Sequence, residues 1–205
     1  MKNDIATSAL PYSILDGEIW RLCARLFYAA ISKQSSLIMT ISSPLMTYMI
    51  VSSFQGLGGG QPVRELGLEA MGELKGKLLS QPLVVGICLG MQVLCGWLEE
   101  AATNGFGIVN TPIRKISLKS NISKANIGYR TIATDDGPMR FYFCHSFAAE
   151  RVETLNEVDT CFTFEEPCFE KYIAGFRAGK IYGLQFHPEK SGPAGREFFI
   201  RIMNV

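Results

Sequence analysis

Two places in the chain carry the residue types of a nucleophile, a base and an orienting acid, which together can attack a carbonyl carbon. Cys88 lies between Gly86 and Gly90, directly after a run of apolar residues. His187 ends a second apolar run, and Glu189 comes two residues later. A cysteine nucleophile needs a base that takes its proton, and the base needs a third group that orients its ring. The residue types therefore predict a catalytic triad of Cys88, His187 and Glu189.

The segment around Cys88 predicts a sharp turn from a strand into a helix. Residues 83–87 are typical of a buried strand in a parallel sheet, and residues 91–101 are expected to be helical. Glycines are needed on both sides because side chains there would clash as the backbone folds back. This turn places the sulfur at a helix N-terminus, where the helix dipole favours the thiolate. The alternative is an inert cysteine buried in a core strand.

Only two histidines are present, so Cys–His chemistry depends on His187 or on His145. His187 follows a strand end, where the sites of parallel sheets gather. Pro188 restricts the short loop that joins it to Glu189. His145 ends the apolar run 141–145, and we favour a structural role for it over a catalytic one.

A glycine-rich loop comes before the Cys88 segment. Four of the five residues 56–60 are glycine, and a helix is predicted over residues 63–79. A phosphate loop does not fit because no Lys-Ser/Thr pair follows the last glycine, and Gln61 breaks the dinucleotide pattern. We predict a flexible loop whose backbone N–H groups approach a ligand, with a mobile turn of no function as the alternative.

The remaining patterns predict one domain over residues 1–205 with a mixed sheet. A short strand at 12–15, a helix at 19–31 and short strands at 37–41 and 48–51 are typical of a parallel βαβ arrangement. Short β-like runs between residues 113 and 164, with a turn at 135–138, predict an added antiparallel section. A hairpin around Ala178-Gly179 and a closing helix at 195–203 complete the chain.

Composition narrows the possible partners. The chain has 205 residues, is 47% hydrophobic and 19% charged, and carries a formal net charge of +1, so nucleic acid or an anionic membrane is not expected as a partner. No apolar run reaches the ~20 residues of a spanning helix, and no signal peptide is recognisable. The six cysteines form no C-x-x-C pair, which favours reduced, cytoplasmic thiols. We expect no metal and no organic cofactor.

The two motifs resemble the signatures of class I (triad) glutamine amidotransferases. They are Gly86-Ile-Cys-Leu-Gly-Met-Gln92 and Gln185-Phe-His-Pro-Glu189. The stretch from His187 to Ser191 and the chain length resemble in particular the glutaminase subunit of imidazole glycerol phosphate synthase, from histidine biosynthesis. The likeness extends from about residue 48 to 205. It implies an α/β fold in three layers, with a mostly parallel open sheet and an added antiparallel section.

The resemblance also implies residue roles. Cys88 would attack the side-chain amide of L-glutamine, His187 would protonate the leaving ammonia, and Glu189 would orient His187. The oxyanion hole would be formed by backbone N–H groups of Leu89 and of Leu57 or Gly58. The glutamine pocket would be lined by Gln92, Glu100, Ser146 and Phe147, with Glu100 pairing with the substrate's α-ammonium. Ammonia would pass to a synthase partner, which in this family is a (β/α)8 barrel.

Three segments depart from the family pattern. The family's Leu-Pro-Gly-Val-Gly is here Phe54-Gln-Gly-Leu-Gly58, its His-x-Gly-Trp-Asn is Asn126-Ile-Gly-Tyr-Arg130, and its N-terminal motif is reduced to Leu15-Asp-Gly-Glu18. In the family these segments lie near the synthase partner, so the partner and the ammonia acceptor stay open. The alternatives are a paralogue that supplies ammonia for sugar amidation in surface-polysaccharide biosynthesis, a non-catalytic regulatory subunit, and a hydrolase of γ-glutamyl bonds.

Overall fold

The computed structural model describes residues 37–43, 46–52, 68–118, 125–152 and 156–203. The strand and helix predicted before residue 37 and the glycine-rich loop at 56–60 lie outside these residues. Two 3-10 turns are also present, Pro167–Phe169 and Pro188–Lys190. In chain order the elements are β1 (Leu37–Ser43), β2 (Met46–Ser52), α1 (Leu68–Leu79), β3 (Val84–Ile87), α2 (Leu89–Leu94), β4 (Trp97–Leu98), β5 (Thr103–Asn104), β6 (Ile113–Lys115), β7 (Asn126–Thr134), β8 (Gly137–His145), β9 (Phe147–Ala149), β10 (Thr160–Phe164), β11 (Ile173–Ala178), β12 (Ile181–Leu184) and α3 (Gly192–Met203).

A six-stranded sheet in the order β3-β12-β11-β10-β7-β8 forms the centre of the fold. Strands β3 and β12 pair in parallel, and the other neighbours in this sheet pair antiparallel. A second sheet has the order β5-β4-β6-β9. The predicted α/β class with mixed strand directions is confirmed, and within the described residues most pairs are antiparallel.

The two predicted hairpins are present with the expected turns. Strands β7 and β8 pair from Asn126↔His145 to Thr134↔Gly137, so the Asp135-Asp136 pair forms the turn. Strands β11 and β12 pair up to Ala178↔Ile181. Gly179 in that turn has φ +57°, a left-handed conformation that glycine adopts without the steric cost of a side chain.

Strands β1 and β2 depart from the expected parallel arrangement. They pair antiparallel, from Leu37↔Ser52 to Ser43↔Met46. Only residues 44 and 45 separate the two strands, whereas a parallel pair needs a crossover of a dozen residues or more. The βαβ interpretation was therefore wrong for this pair.

Helices cover both faces of the central sheet. The apolar residues of strand β3 point alternately to two buried clusters, as its period of two requires. Val85 and Ile87 belong to the cluster that contains Phe198 and Ile202 of α3. Val84 belongs to the other cluster, which contains Leu78 of α1 and most of α2. The result is a helix–sheet–helix arrangement, the three layers expected from the sequence.

The helix after Cys88 is shorter than residues 91–101, the range that its periodicity predicts. It ends at Leu94, and Cys95 is already extended, with φ −78° and ψ −173°. The N–H groups of Phe106, Gly107 and Ile108 donate to the carbonyls of residues 93, 95 and 94, at 2.7, 2.9 and 2.8 Å. Because a returning loop takes the acceptors that the next helical turn would use, the helix stops there.

No helix in the described part of the chain is long and apolar enough to cross a membrane. The predicted organisation as one domain over residues 1–205 stays a prediction, because several stretches lie outside the described residues.

Candidate active site

Cys88 occupies the turn between β3 and α2 in a conformation that non-glycine residues rarely adopt. Its φ is +53° and its ψ is −107°. A Cβ on Gly86 would come within 2.7 Å of the Gly90 backbone and 2.8 Å of Leu94 Cδ1. The strand and the helix therefore approach each other closely enough to exclude a side chain, as the sequence predicted. Backbone strain of this kind costs about 1–3 kcal/mol and concentrates at functional sites.

The parallel pairing of β3 and β12 brings the two motifs together. Ile87 at the end of β3 lies opposite Leu184 at the end of β12. The Cys88 N–H donates to the Leu184 carbonyl at 2.7 Å. The segments that follow β3 and β12 leave the sheet at the same edge, formed by the carboxyl ends of the two parallel strands, where the sites of parallel sheets gather. The distant positions 88 and 187 thus meet because of strand order.

His187 lies between Cys88 and Glu189. Its Nδ1 is 2.7 Å from Glu189 Oε1, and the Cys88 side chain is near enough to raise the pKa of the ring. His187 and Glu189 have side chains only 4% and 6% exposed. The structure therefore assembles the three residues in the order that the sequence predicted, with the imidazole between the thiol and the carboxylate.

Charge and burial act in opposite directions on His187. Burial lowers its pKa, but the neighbouring Cys88 and Glu189 outweigh burial and raise the pKa from 6.5 to about 10. The ring is therefore held as an imidazolium at neutral pH, with a carboxylate on one side and the sulfur on the other. An imidazolium in this position stabilises the thiolate, which is the reactive form of cysteine.

Contacts with strand β8 hold the segment around His187 in place. The His187 N–H donates to the Tyr142 carbonyl at 2.8 Å. The buried Ser191 hydroxyl accepts from the Tyr142 N–H at 2.9 Å and donates to the His187 carbonyl at 2.6 Å. Phe186 stacks on Phe141 with ring centroids 4.1 Å apart. No role for Ser191 was predicted from the sequence, because only the fold shows what its hydroxyl contacts.

His145 is buried, and each of its ring nitrogens has a partner. Its Nδ1 lies 2.8 Å from the Phe147 carbonyl, and its Nε2 lies 3.1 Å from Asn126 Nδ2. A carbonyl accepts only, so Nδ1 carries the hydrogen and Nε2 accepts from Asn126. Burial lowers the pKa of His145 to about 4. The ring is therefore neutral, which supports a structural role rather than that of the base.

The other predicted site residues are distributed as follows. Leu89 is the first residue of α2 and follows Cys88 directly. Gln92 is buried, with its Nε2 3.0 Å from the Phe147 carbonyl. Ser146 is exposed beside Phe147, and Glu100 is exposed in the turn between β4 and β5. Leu57 and Gly58 lie outside the described residues. These assignments to the oxyanion hole and the glutamine pocket stay predictions.

Gln185 was not singled out by sequence analysis, although it belongs to the second motif. It is fully buried, and its Nε2 lies 3.7 Å from Cys88 Sγ. Its Oε1 lies 3.1 Å from Gln92 Nε2. Among the described residues, no group of three His, Cys, Asp or Glu side chains is placed to hold a metal ion.

Comparison with known proteins identifies the family to which the chain belongs. The sequence profile of the family "Glutamine amidotransferase class-I" matches residues 57–203. The chain is 33% identical over 138 residues to "Imidazole glycerol phosphate synthase subunit HisH" of Pyrobaculum aerophilum, covering 65% of this chain and 68% of that protein. It is 36% identical over 141 residues to the protein of the same name from Methanopyrus kandleri, covering 64% and 66%. The matched region thus spans about two thirds of these relatives.

Two solved structures have folds similar to that of this chain. One, "Crystal structure of glutamine amidotransferase", has a TM-score of 0.54 at 16% identity and covers 77% of this chain and 79% of its own. A chain of "Structure of PurLQS from Thermotoga maritima" has a TM-score of 0.58 at 18% identity and covers 89% and 92%. At these identities the likeness concerns the fold alone.

Proposed function

Because the chain belongs to the class-I glutamine amidotransferases, which are glutamine-hydrolysing enzymes, we propose that Cys88, His187 and Glu189 are its catalytic triad. The observation that supports this most directly is the position of the His187 ring, which is bonded to Glu189 at 2.7 Å and has its pKa raised by the neighbouring Cys88 side chain. The substrate is L-glutamine, and the products are glutamate and ammonia. Ammonia serves a synthase partner rather than being released.

The residues divide the reaction into two steps. Cys88 Sγ attacks the amide carbon of glutamine, and the carbonyl electrons move onto oxygen. His187 delivers its proton to the amide nitrogen, so that ammonia leaves and a thioester to Cys88 remains. His187, now neutral, takes a proton from water, and the hydroxide attacks the thioester carbon. The C–S bond then breaks and leaves the Cys88 thiolate beside His187, which keeps the proton taken from water, so the imidazolium–thiolate pair is restored. The new carboxyl group of glutamate loses its own proton to solvent.

Backbone N–H groups stabilise the oxyanion in both steps. The Leu89 N–H belongs to the first turn of α2, where backbone N–H groups lack partners within the helix. A second N–H comes from Leu57 or Gly58, in the glycine-rich loop. Removing one such donor typically costs about 10²–10³ in kcat, so this contribution is a large one.

The glutamine pocket is lined by Gln92, Glu100, Ser146 and Phe147. Glu100 is exposed and carries a negative charge that suits the α-ammonium of the substrate. Gln92 and the Phe147 carbonyl already hydrogen bond to each other at 3.0 Å, so this wall of the pocket is formed before substrate arrives.

The partner is a synthase subunit of the imidazole glycerol phosphate type, with a (β/α)8 barrel fold. The support is the likeness to relatives named as subunits of that synthase. The product then enters histidine biosynthesis, and the two subunits form a heterodimer in the cytoplasm. A second candidate is ammonia supply for amidation of a surface-polysaccharide sugar. It is favoured by the altered segment Asn126–Arg130 on β7, which replaces the family's His-x-Gly-Trp-Asn.

Labelling by an electrophilic glutamine analogue tests the proposed chemistry. We expect one adduct in the intact mass of the purified chain and none in Cys88→Ser. Cys161, which is half-buried on β10, provides the matched control, because Cys161→Ser should label like the parent chain. Labelling that survives in Cys88→Ser would refute the triad. If the parent chain is not labelled either alone or with a barrel partner present, the non-catalytic alternative is favoured.

A further inference from the structure

The Gln185 side chain joins the two sequence motifs beneath the triad. It follows the last residue of β12, and its backbone N–H donates to the Ala174 carbonyl at 2.9 Å, which fixes it on strand β11. Its side chain is fully buried. A buried amide needs partners for its polar atoms, and those of Gln185 are Cys88 Sγ at 3.7 Å and Gln92 Nε2 at 3.1 Å.

The hydrogen-bond partners determine which way the Gln185 amide faces. The Phe147 carbonyl accepts only, so Gln92 must turn its NH₂ group toward it, at 3.0 Å. The same NH₂ group lies 3.1 Å from Gln185, which must therefore present its oxygen. The Gln185 NH₂ group is then directed at Cys88. A chain of donors and acceptors thus runs from a backbone carbonyl to the sulfur.

We propose that Gln185 is a positioning residue for the nucleophile, donating an N–H to the Cys88 thiolate and fixing the sulfur beneath its attack position. This inference rests on the proposed function, since it takes Cys88 as the nucleophile. A donor stabilises a thiolate more than a neutral thiol because hydrogen bonds to an ionised acceptor are about twice as strong. Gln92, which lines the proposed glutamine pocket, holds the Gln185 amide in the donating orientation.

Substitution of Gln185 by Met tests the donor. Methionine has a similar length and suits a buried site, but it offers no N–H to the sulfur. We expect Gln185→Met to lose much of the ultraviolet absorbance that distinguishes a thiolate from a thiol at neutral pH. We also expect its Cys88 to react about tenfold more slowly with iodoacetamide, the loss corresponding to one hydrogen bond to a charged group. Gln81→Met, at a half-buried glutamine of the turn after α1, is the matched control and should match the parent chain.

A second substitution covers the case in which Gln185→Met does not fold. Gln185→Glu keeps the shape and the acceptor for Gln92, but replaces the donor by an oxygen facing the sulfur. It should lower both the thiolate absorbance and the iodoacetamide rate. Parental absorbance and rate in a folded Gln185 variant would overturn the inference while leaving the triad intact. A parent chain that fails to react with the glutamine analogue, both alone and with a barrel partner present, would instead refute the proposed function, whatever Gln185 does.

Discussion

At the residue scale, His187 shows how two neighbours outweigh the cost of burying a charge. Burial alone would make the ring neutral, yet Cys88 and Glu189 raise its pKa to about 10. The ring is thus protonated at neutral pH before substrate binds. Glu189 orients the His187 ring through its 2.7 Å hydrogen bond, and it also favours the positive charge of the ring.

Glu189→Gln tests what the Glu189 carboxylate does to His187 while Cys88 stays unchanged. The substitution keeps the length of the side chain but removes its negative charge, so the pKa of His187 should fall. We expect kcat for glutamine hydrolysis to drop by about 10²–10⁴, the usual contribution of a positioned acid–base group. Steady-state ammonia release and a histidine NMR titration measure the two effects. Unchanged kcat would contradict the role of Glu189.

His145 predicts a specific acid sensitivity of the fold. Its pKa is about 4 in the folded protein and 6.5, the ordinary value, in the unfolded chain, so the unfolded chain binds more protons between these pH values. The stability that the neutral ring contributes is complete above pH 6.5 and is lost as the pH falls toward 4. A shift of this size corresponds to roughly 3 kcal/mol of unfolding free energy.

Urea unfolding of the parent chain and of His145→Gln at pH 7 and pH 4 measures this contribution. Carboxylates titrate in both proteins, so only the difference between them reports on His145. The parent chain should lose roughly 3 kcal/mol more than the variant on acidification. Equal losses would show that His145 is not held neutral by its buried site.

At the scale of elements, the turn at Cys88 depends on a strand and a helix that touch without side chains between them. Gly86→Ala would place a Cβ 2.7 Å from the Gly90 backbone. Neither backbone has room to move, because Val85 and Ile87 on either side are fully buried. We expect a loss of about 1–3 kcal/mol or more in unfolding free energy, together with loss of labelling at Cys88.

Gly72→Ala is the matched control for that substitution. Gly72 lies within α1, and nothing stands within 4 Å of a Cβ built on it. Alanine should therefore stabilise the protein by about 0.5–1 kcal/mol through its higher helix propensity. If both substitutions had similar effects in urea unfolding, close packing at the turn would not be the cause.

Ser191 links strand β8 to the segment that presents His187. Ser191→Ala would leave the partly buried Tyr142 N–H without its 2.9 Å acceptor and release the His187 carbonyl. We expect a loss of about 1–3 kcal/mol in stability, measured by urea unfolding, and a several-fold lower kcat. Ser80→Ala removes a hydroxyl that bonds a carbonyl on the exposed end of α1, and should change neither quantity measurably.

At the scale of the whole molecule, local signals predicted more than long-range ones. The hairpins, the turn at Cys88 and the triad follow from residue types over a few positions, and the structure contains the corresponding geometry. The antiparallel pairing of β1 with β2 was missed because strand direction depends on connection length rather than on side-chain pattern. The early end of α2 was missed because its cause is a loop a dozen residues downstream. Gln185 and Ser191 escaped notice because their contacts exist only once β8, β12 and α2 are packed together.

In the proposed complex, this chain produces the ammonia and a partner subunit uses it. If this chain only supplies ammonia, Cys88→Ala should abolish glutamine-dependent synthesis by the complex and leave synthesis from added ammonium salt intact. The sulfur is small and its backbone position is fixed by the N–H bond to Leu184, so alanine should leave the contacts of the surrounding elements in place. Product formation by the reconstituted complex, with glutamine and with ammonium as alternative nitrogen sources, measures both activities. Loss of both would mean that Cys88 is needed for assembly, and persistence of both would exclude this chain as the ammonia source.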